Sequence, residues 1–240
     1  MGGKQMDNKL KQALAEAYRA PAPMRKAAFL KRHRRRELGR WELVAVQIRY
    51  IRWWVWGLSL ALFGGILWMA SPARGMGGWY AAALTPFLAL LMVMENGRAR
   101  ACQMEELELA CRMARHSVIL ARMVVLGLFH LALLAGLTPP LAAWGAAGMA
   151  RTGVYLLTPY LLTAALGMEL TRRVRGRECL LACGGAAVLV SMLGVFLINF
   201  RPELYRPQHL PLWGLALALA ALAAGAEIIL SLKERELQWN

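Results

Sequence analysis

Four histidines, four cysteines and 14 acidic side chains are the groups in this 240-residue chain whose types could carry chemistry. Their spacing builds little of it. His33, His116 and His209 have no carboxylate or thiol placed to form a dyad, and His130 stands alone in an apolar run, where a lone histidine reads as a packing residue rather than a proton relay. Cys102 and Cys111 are too far apart, and Cys179 and Cys183 lack any histidine partner, for the ligand spacing of a zinc site. The four thiols read as small buried hydrophobes that stay reduced on the cytoplasmic side. No Walker A sequence, GxGxxG, GxSxG, HExxH or paired-cysteine pattern occurs. The expectation is a chain with no catalytic residue, no cofactor and no metal.

The glutamates Glu105-Glu106 could serve an intramembrane protease, but the arginine needed four residues on is missing, as is a membrane-embedded histidine pair. Charge pairing is a better use of the remaining acids. Glu95, Glu169 and Glu227 fall at the ends of apolar runs, and Arg52, Arg122 and Arg177 fall at the ends of the neighbouring ones. A carboxylate at a helix carboxyl terminus faces the unfavourable end of the dipole, which costs a few tenths to about 1 kcal/mol. An unpaired charge deeper in a bilayer costs at least about 2.5–3.5 kcal/mol. These six residues are therefore expected to form an inner ring of ion pairs.

The elements that position them follow from composition. Hydrophobic residues make up 58% of the chain and the mean hydropathy is +0.41, more apolar surface than a soluble fold can bury. Disorder is excluded on the same ground. Apolar runs at 53–70, 79–94, 118–137, 153–170, 179–199 and 212–232 are each long enough, or nearly so, to cross about 30 Å of hydrocarbon. The second and fourth must extend into their flanks to do it. Lipid satisfies no backbone groups, so the runs must be helices. The fold class is an all-α polytopic membrane protein with six transmembrane helices.

The excess charge of +15 is not spread evenly. Residues 1–52, the 95–122 connection, residues 171–178 and the 233–240 tail hold 25 of the 29 lysines and arginines, against Arg74, Arg151, Arg201 and Arg206 on the other side. The positive-inside rule then places both termini in the cytoplasm. No signal peptide is expected, because the first apolar run follows some fifty polar residues and is too long for one.

Two regions divide the chain: a basic amphipathic cytoplasmic extension over 1–40 and the six-helix domain over 41–240. In the extension Met6, Leu10, Leu14 and Tyr18 recur at helical spacing, and Pro21 and Pro23 end that helix. Lys31, Arg32, Arg34, Arg35 and Arg36 follow, which reads as an anchor on anionic lipid at about 1 kcal/mol per residue. No nucleic-acid motif accompanies them. Residues 41–52 place Trp41, Val44, Ile48 and Ile51 on one face, an interfacial elbow helix before the first span. In the 103–115 stretch Met104, Leu107, Cys111 and Ala114 form an apolar stripe beside Glu105, Glu106, Glu108, Arg112 and Arg115. That mixed-sign amphipathic helix could dock a soluble partner or simply lie on the bilayer.

Spans two and four share a phrase, Leu84-Thr85-Pro86-Phe87-Leu88 and Leu157-Thr158-Pro159-Tyr160-Leu161. Pro86 and Pro159 are expected to kink their helices, with the preceding threonine helping to satisfy freed backbone groups.

On these features the chain resembles the membrane subunits of ABC exporters that have six helices per subunit. Glu95, Arg98 and Arg100, followed by Met104-Glu105-Glu106-Leu107-Glu108-Leu109, look like the charged cluster and coupling helix that follow the second span in that family. The wording of TPFLALL, MEELELACR and TGVYLLTPYLLTAALG is similar to small clostridial ABC permeases. The resemblance implies a permease subunit, an exporter, working as a homodimer or heterodimer and powered by a separate cytosolic ABC ATPase. It implies that Met104, Glu105, Glu106, Leu107, Glu108 and Arg112 couple to that ATPase. Two departures are visible: only residues 200–211 are available between spans five and six, and the first 40 residues are an addition. Few polar residues lie at mid-depth (Thr85, Thr158, Thr163, Ser191), which suits a lipidic cargo. A different class of function is a membrane-anchored regulator that holds a cytosolic protein through the basic extension, as membrane-bound anti-sigma factors do.

Overall fold

The computed structural model describes residues 11, 14, 40–72, 79–101, 115–145, 148–174, 176 and 178–236. Among them the chain is all helical, with no strand: α1 (Arg40–Tyr50), α2 (Trp53–Ala70), α3 (Tyr80–Ala101), α4 (Arg115–Trp144), α5 (Met149–Arg173), α6 (Glu178–Phe200) and α7 (Leu210–Glu236). Six of the seven, α2 to α7, contain stretches long and apolar enough to cross a membrane. As composition requires, the second and fourth spans do extend into their flanks. Residues 39–240 form one compact unit.

Helix boundaries follow local chemistry. Between α1 and α2 the chain breaks at Arg52, whose backbone is extended (φ −61°, ψ 136°). The buried side of α1 carries Gln47 and Ile51 with Val44 half-buried, whereas Ile48 is about half exposed. At the end of α2, Ser71 Oγ donates to Trp68 O at 2.8 Å and Pro72 follows. The turn from α5 to α6 is closed by Val174 N–H donating to Leu170 O at 2.8 Å, and it uses Gly176 at φ +76°, a conformation that side chains disfavour. Between α6 and α7 the proline-rich connection makes two short 3₁₀ turns, Pro202–Tyr205 and Pro207–His209.

The third span does not stop at Leu137. Helix α4 runs on through Pro139 and Pro140 to Trp144. Pro139 has no N–H for Ala135 O, and the Thr138 hydroxyl takes that place, donating to Ala135 O at 2.7 Å. That hydroxyl replaces one of the two backbone donors that the proline pair removes.

Helices α3 and α5 are the centre. They pack on each other, and α7 and α6 lie against α5 and α3. Helices α2 and α4 complete the other side, and α1 lies along α4. Alanine and leucine make up most of the core, Ala81, Ala82, Leu88, Ala89, Leu156 and Ala164 from the central helices and Leu126, Leu134, Leu137 and Leu141 from α4. Small side chains let backbones approach in lipid, where no hydrophobic force drives helix association. Among the described glycines, Gly167 of α5 is the most tightly covered, by Val93 of α3.

Candidate functional site

The repeated phrase falls on the two central helices. In α3, Pro86 deprives Ala82 O of its donor, and Thr85 Oγ1 donates there at 2.9 Å. The same hydroxyl lies 3.2 Å from Leu156 O of α5, so a single hydrogen is shared between the two helices. Helix α5 resolves its proline differently. The carbonyl that Pro159 leaves without a donor belongs to Tyr155, yet Thr158 Oγ1 donates to Val154 O at 2.7 Å. The expected threonine device therefore operates at Pro86 and not at Pro159.

One turn further into the bundle, four helices meet in a chain of polar groups. Ser59 of α2, His130 of α4 and Tyr160 of α5 are all buried, the first two completely. His130 Nε2 is 3.0 Å from Ser59 Oγ, and its Nδ1 is 3.4 Å from the Tyr160 hydroxyl. Tyr160 in turn donates to Met92 Sδ of α3 at 3.7 Å. A consistent set of hydrogens follows. Tyr160 uses its proton on the thioether, so Nδ1–H donates to Tyr160 and Nε2 accepts from Ser59. The imidazole is then neutral with both nitrogens satisfied, which suits a site without water. Read from sequence, His130 is an isolated packing residue. The structure makes it the junction of four spans, and Ser59 and Tyr160 are the partners that sequence reasoning missed. Neither lies within 29 residues of it, so no local signal could have revealed them.

The acidic helix ends do gather cations, with a changed partner list. Glu227 of α7 is held by Arg172 of α5 through two contacts, Nε to Oε2 at 3.1 Å and Nη2 to Oε1 at 3.2 Å. Glu169 pairs with Arg173 one turn on, largely in the open. Glu95 and Arg122 are both buried, and Arg122 Nη1 donates to the Glu95 carbonyl at 3.3 Å while its guanidinium lies 5.5 Å from the Tyr50 ring centroid. That contact ties α1, α3 and α4 together. Arg52 is exposed. Arg172 and Arg173, not chosen from the sequence, are the partners of the second and third acids. Arg177 lies outside the described residues.

The opposite end of the bundle is aromatic. Tyr155 of α5 makes edge contacts with Trp79, Tyr205 and Trp213 at centroid distances of 5.1, 5.2 and 5.1 Å. Trp213 Nε1 donates to Leu204 O at 2.9 Å, which ties the start of α7 to the first 3₁₀ turn. Tyr80 at the start of α3 donates to Asn199 Oδ1 near the end of α6 at 2.8 Å. Burial and the neighbouring Tyr155 push the Tyr205 phenol up to about 12.

The six coupling residues Met104, Glu105, Glu106, Leu107, Glu108 and Arg112 lie outside the described residues, as does the amphipathic stretch of the basic extension apart from Lys11 and Leu14. Cys183 is buried as expected, its thiol 3.7 Å from Gly167 O, and Cys179 is half-buried. Among the described residues no group of three or more metal-ligating side chains occurs. Comparison with protein families, curated proteins and solved structures gives no match. What the residues themselves show is a helical bundle with six helices long and apolar enough to cross a membrane, a polar junction in its core and charged pairs at one end.

Proposed function

We propose that this chain is the membrane subunit of an ABC-type transporter, an exporter, driven by a separate cytosolic ATPase and working as a dimer in the cell membrane. Both termini are cytoplasmic, and α1 is an elbow helix at the membrane surface. The observation that carries the reading is the charge asymmetry: 25 of 29 cationic residues fall on one side. That side also presents the mixed-sign stretch 103–115 between the second and third spans. Two supports come from the bundle. Its central helices carry the prolines where a rigid rod can bend, and its charged end ties α5 to α7 and α3 to α4 through contacts that can exchange partners. In this mechanism the ATPase grips residues 103–115, and its closure on nucleotide is passed to α3 and α4, between which that stretch lies. The helices then reorient about Pro86 and Pro159 and around the His130 junction. No bond of the cargo is made or broken.

Affinity purification of the full-length protein from its native membrane is the test. An ATP-binding cassette protein should co-purify, and it should be lost when Glu105, Glu106 and Glu108 are changed together to lysine. Retention of that ATPase by the altered chain would overturn the coupling assignment. Recovery instead of a transcription factor that depends on residues 1–40 would replace transport with the anchored-regulator reading.

A further inference from the structure

At the aromatic end, two buried polar atoms have no hydrogen-bond partner, the Tyr155 hydroxyl and Arg151 Nε. They sit one turn apart on α5 and so point to the same side. Both flank the indole of Trp79, with the Tyr155 ring at 5.1 Å and the Arg151 guanidinium carbon at 5.5 Å from its centroid. Tyr155 is only 2% exposed. Buried tyrosine hydroxyls ordinarily find a partner, so an orphaned one held by three ring contacts calls for an explanation. The first turn of α5 adds a third feature. Its N-cap is Gly148, with no side chain to cap the free N–H groups. A helix amino terminus with glycine at its cap, a guanidinium and a hydroxyl donor together form the environment that an anionic oxygen seeks.

What surrounds these donors is apolar. Trp79, Tyr205 and Trp213 wall the site, and Tyr205 covers Tyr155 from a 3₁₀ turn bounded by Pro202 and by Pro207 just beyond it. Exposed Arg201 and Arg206 flank that turn and extend the positive field. We propose that this end of the bundle binds a phosphate-type anion carried on an apolar body, the headgroup region of an anionic amphiphile. Arg151 and Tyr155 hold the oxygens, the tryptophans face the apolar part, and the Tyr205 turn moves aside to admit it. The site names the cargo class under the transport reading and in that respect rests on it. Binding itself requires no ATPase, so its failure and the failure of the transport assignment are separable.

The test is calorimetric titration of the full-length protein in an uncharged detergent. The probes are dioctanoyl phosphatidylglycerol, dioctanoyl phosphatidylcholine and inorganic phosphate. Phosphatidylglycerol should bind saturably, and at least about tenfold more tightly than phosphatidylcholine, the discrimination that one charge-assisted contact supplies. Tyr155→Phe keeps the ring and its packing and should weaken binding by about tenfold. Arg151→Gln should weaken it at least as much, and Arg151→Lys should recover part of the loss. Inorganic phosphate binding as tightly as phosphatidylglycerol supports the anion site and assigns it to the free ion; much weaker phosphate binding supports it and assigns it to a lipid headgroup. Absence of saturable phosphatidylglycerol or phosphate binding to the unaltered protein overturns the proposal. So does equal affinity for the two lipids, or unchanged affinity in both Tyr155→Phe and Arg151→Gln.

Discussion

Gly167 is the point at which the packing of the two central helices is least forgiving. A methyl group built on it would lie 2.8 and 2.9 Å from the two γ-carbons of Val93 and 3.2 Å from its β-carbon. Valine in a helix has one strongly preferred rotamer, so its methyls cannot both turn away. The helices would have to separate. That motion also disturbs α6, because the Gly167 carbonyl accepts the Cys183 thiol at 3.7 Å. Overfilling a close-packed interior costs roughly 1–3 kcal/mol. For a chain of this size each kcal/mol lowers Tm by about 2–4 °C, so Gly167→Ala should lower Tm by roughly 2–12 °C. Thermal unfolding of the full-length protein in one detergent at fixed concentration measures it. Val93→Ala removes the atoms that clash, at its own cost of a small cavity. In the double variant the new alanine methyl occupies that space, and the pair should be more stable than the sum of the single losses by about 0.5–3 kcal/mol. Gly167→Ala melting within about 1 °C of the unaltered protein would refute the close-approach argument. Strict additivity in the double variant would do so as well.

Three further outcomes are expected. Tyr160→Phe deletes the group that accepts from His130 Nδ1 while leaving the ring in place, and the orphaned N–H should cost roughly 1–3 kcal/mol in thermal unfolding, an effect that is absent if the junction is not formed. Glu227→Gln weakens a two-contact pair that is mostly shielded from solvent and should cost about 1–2 kcal/mol, whereas Glu169→Gln, beside an exposed Arg173, should cost less than about 0.5 kcal/mol; equal losses would contradict the pairing with Arg172. The Tyr205 phenol titrates at about 12 in the folded chain against about 10 when free, so the stability of its neutral burial is complete below about pH 10 and is lost as pH rises toward 12. Tyrosinate absorbance followed alongside unfolding should show late ionisation that Tyr205→Phe diminishes, and ionisation of every tyrosine near pH 10 would count against its burial.

Much of the architecture is legible along the chain because lipid leaves the backbone a single choice. An apolar run of sufficient length must be a helix, and all six runs are. The prolines mark the boundary of that logic. The run read as ending at Leu137 continues as helix through Pro139 and Pro140, and no spacing announces the Thr138 hydroxyl that satisfies the carbonyl Pro139 leaves free. Charge pairing is legible as a need and not as an address. Glu227 had to find a cation near its helix end, but Arg172 and Arg177 both lie in reach along the sequence, and the choice depends on the rotation of α5 about its own axis. Likewise, Gln47 of α1 is covered and Ile48 is not, because the neighbouring helices, and not the hydrophobic pattern alone, set which side is covered. His130 is the extreme case: its partners come from three other spans, and only packing brings them to it.

Helices α5 and α7 are fastened to each other at both extremities, by the Arg172–Glu227 fork at one and by the Tyr155–Trp213 ring contact at the other. Two anchors far apart cancel the freedom of either rod to twist or slide along its mate. Under the transport reading proposed above, a rotation imposed near the Gly176 turn would be passed along the pair to its aromatic end.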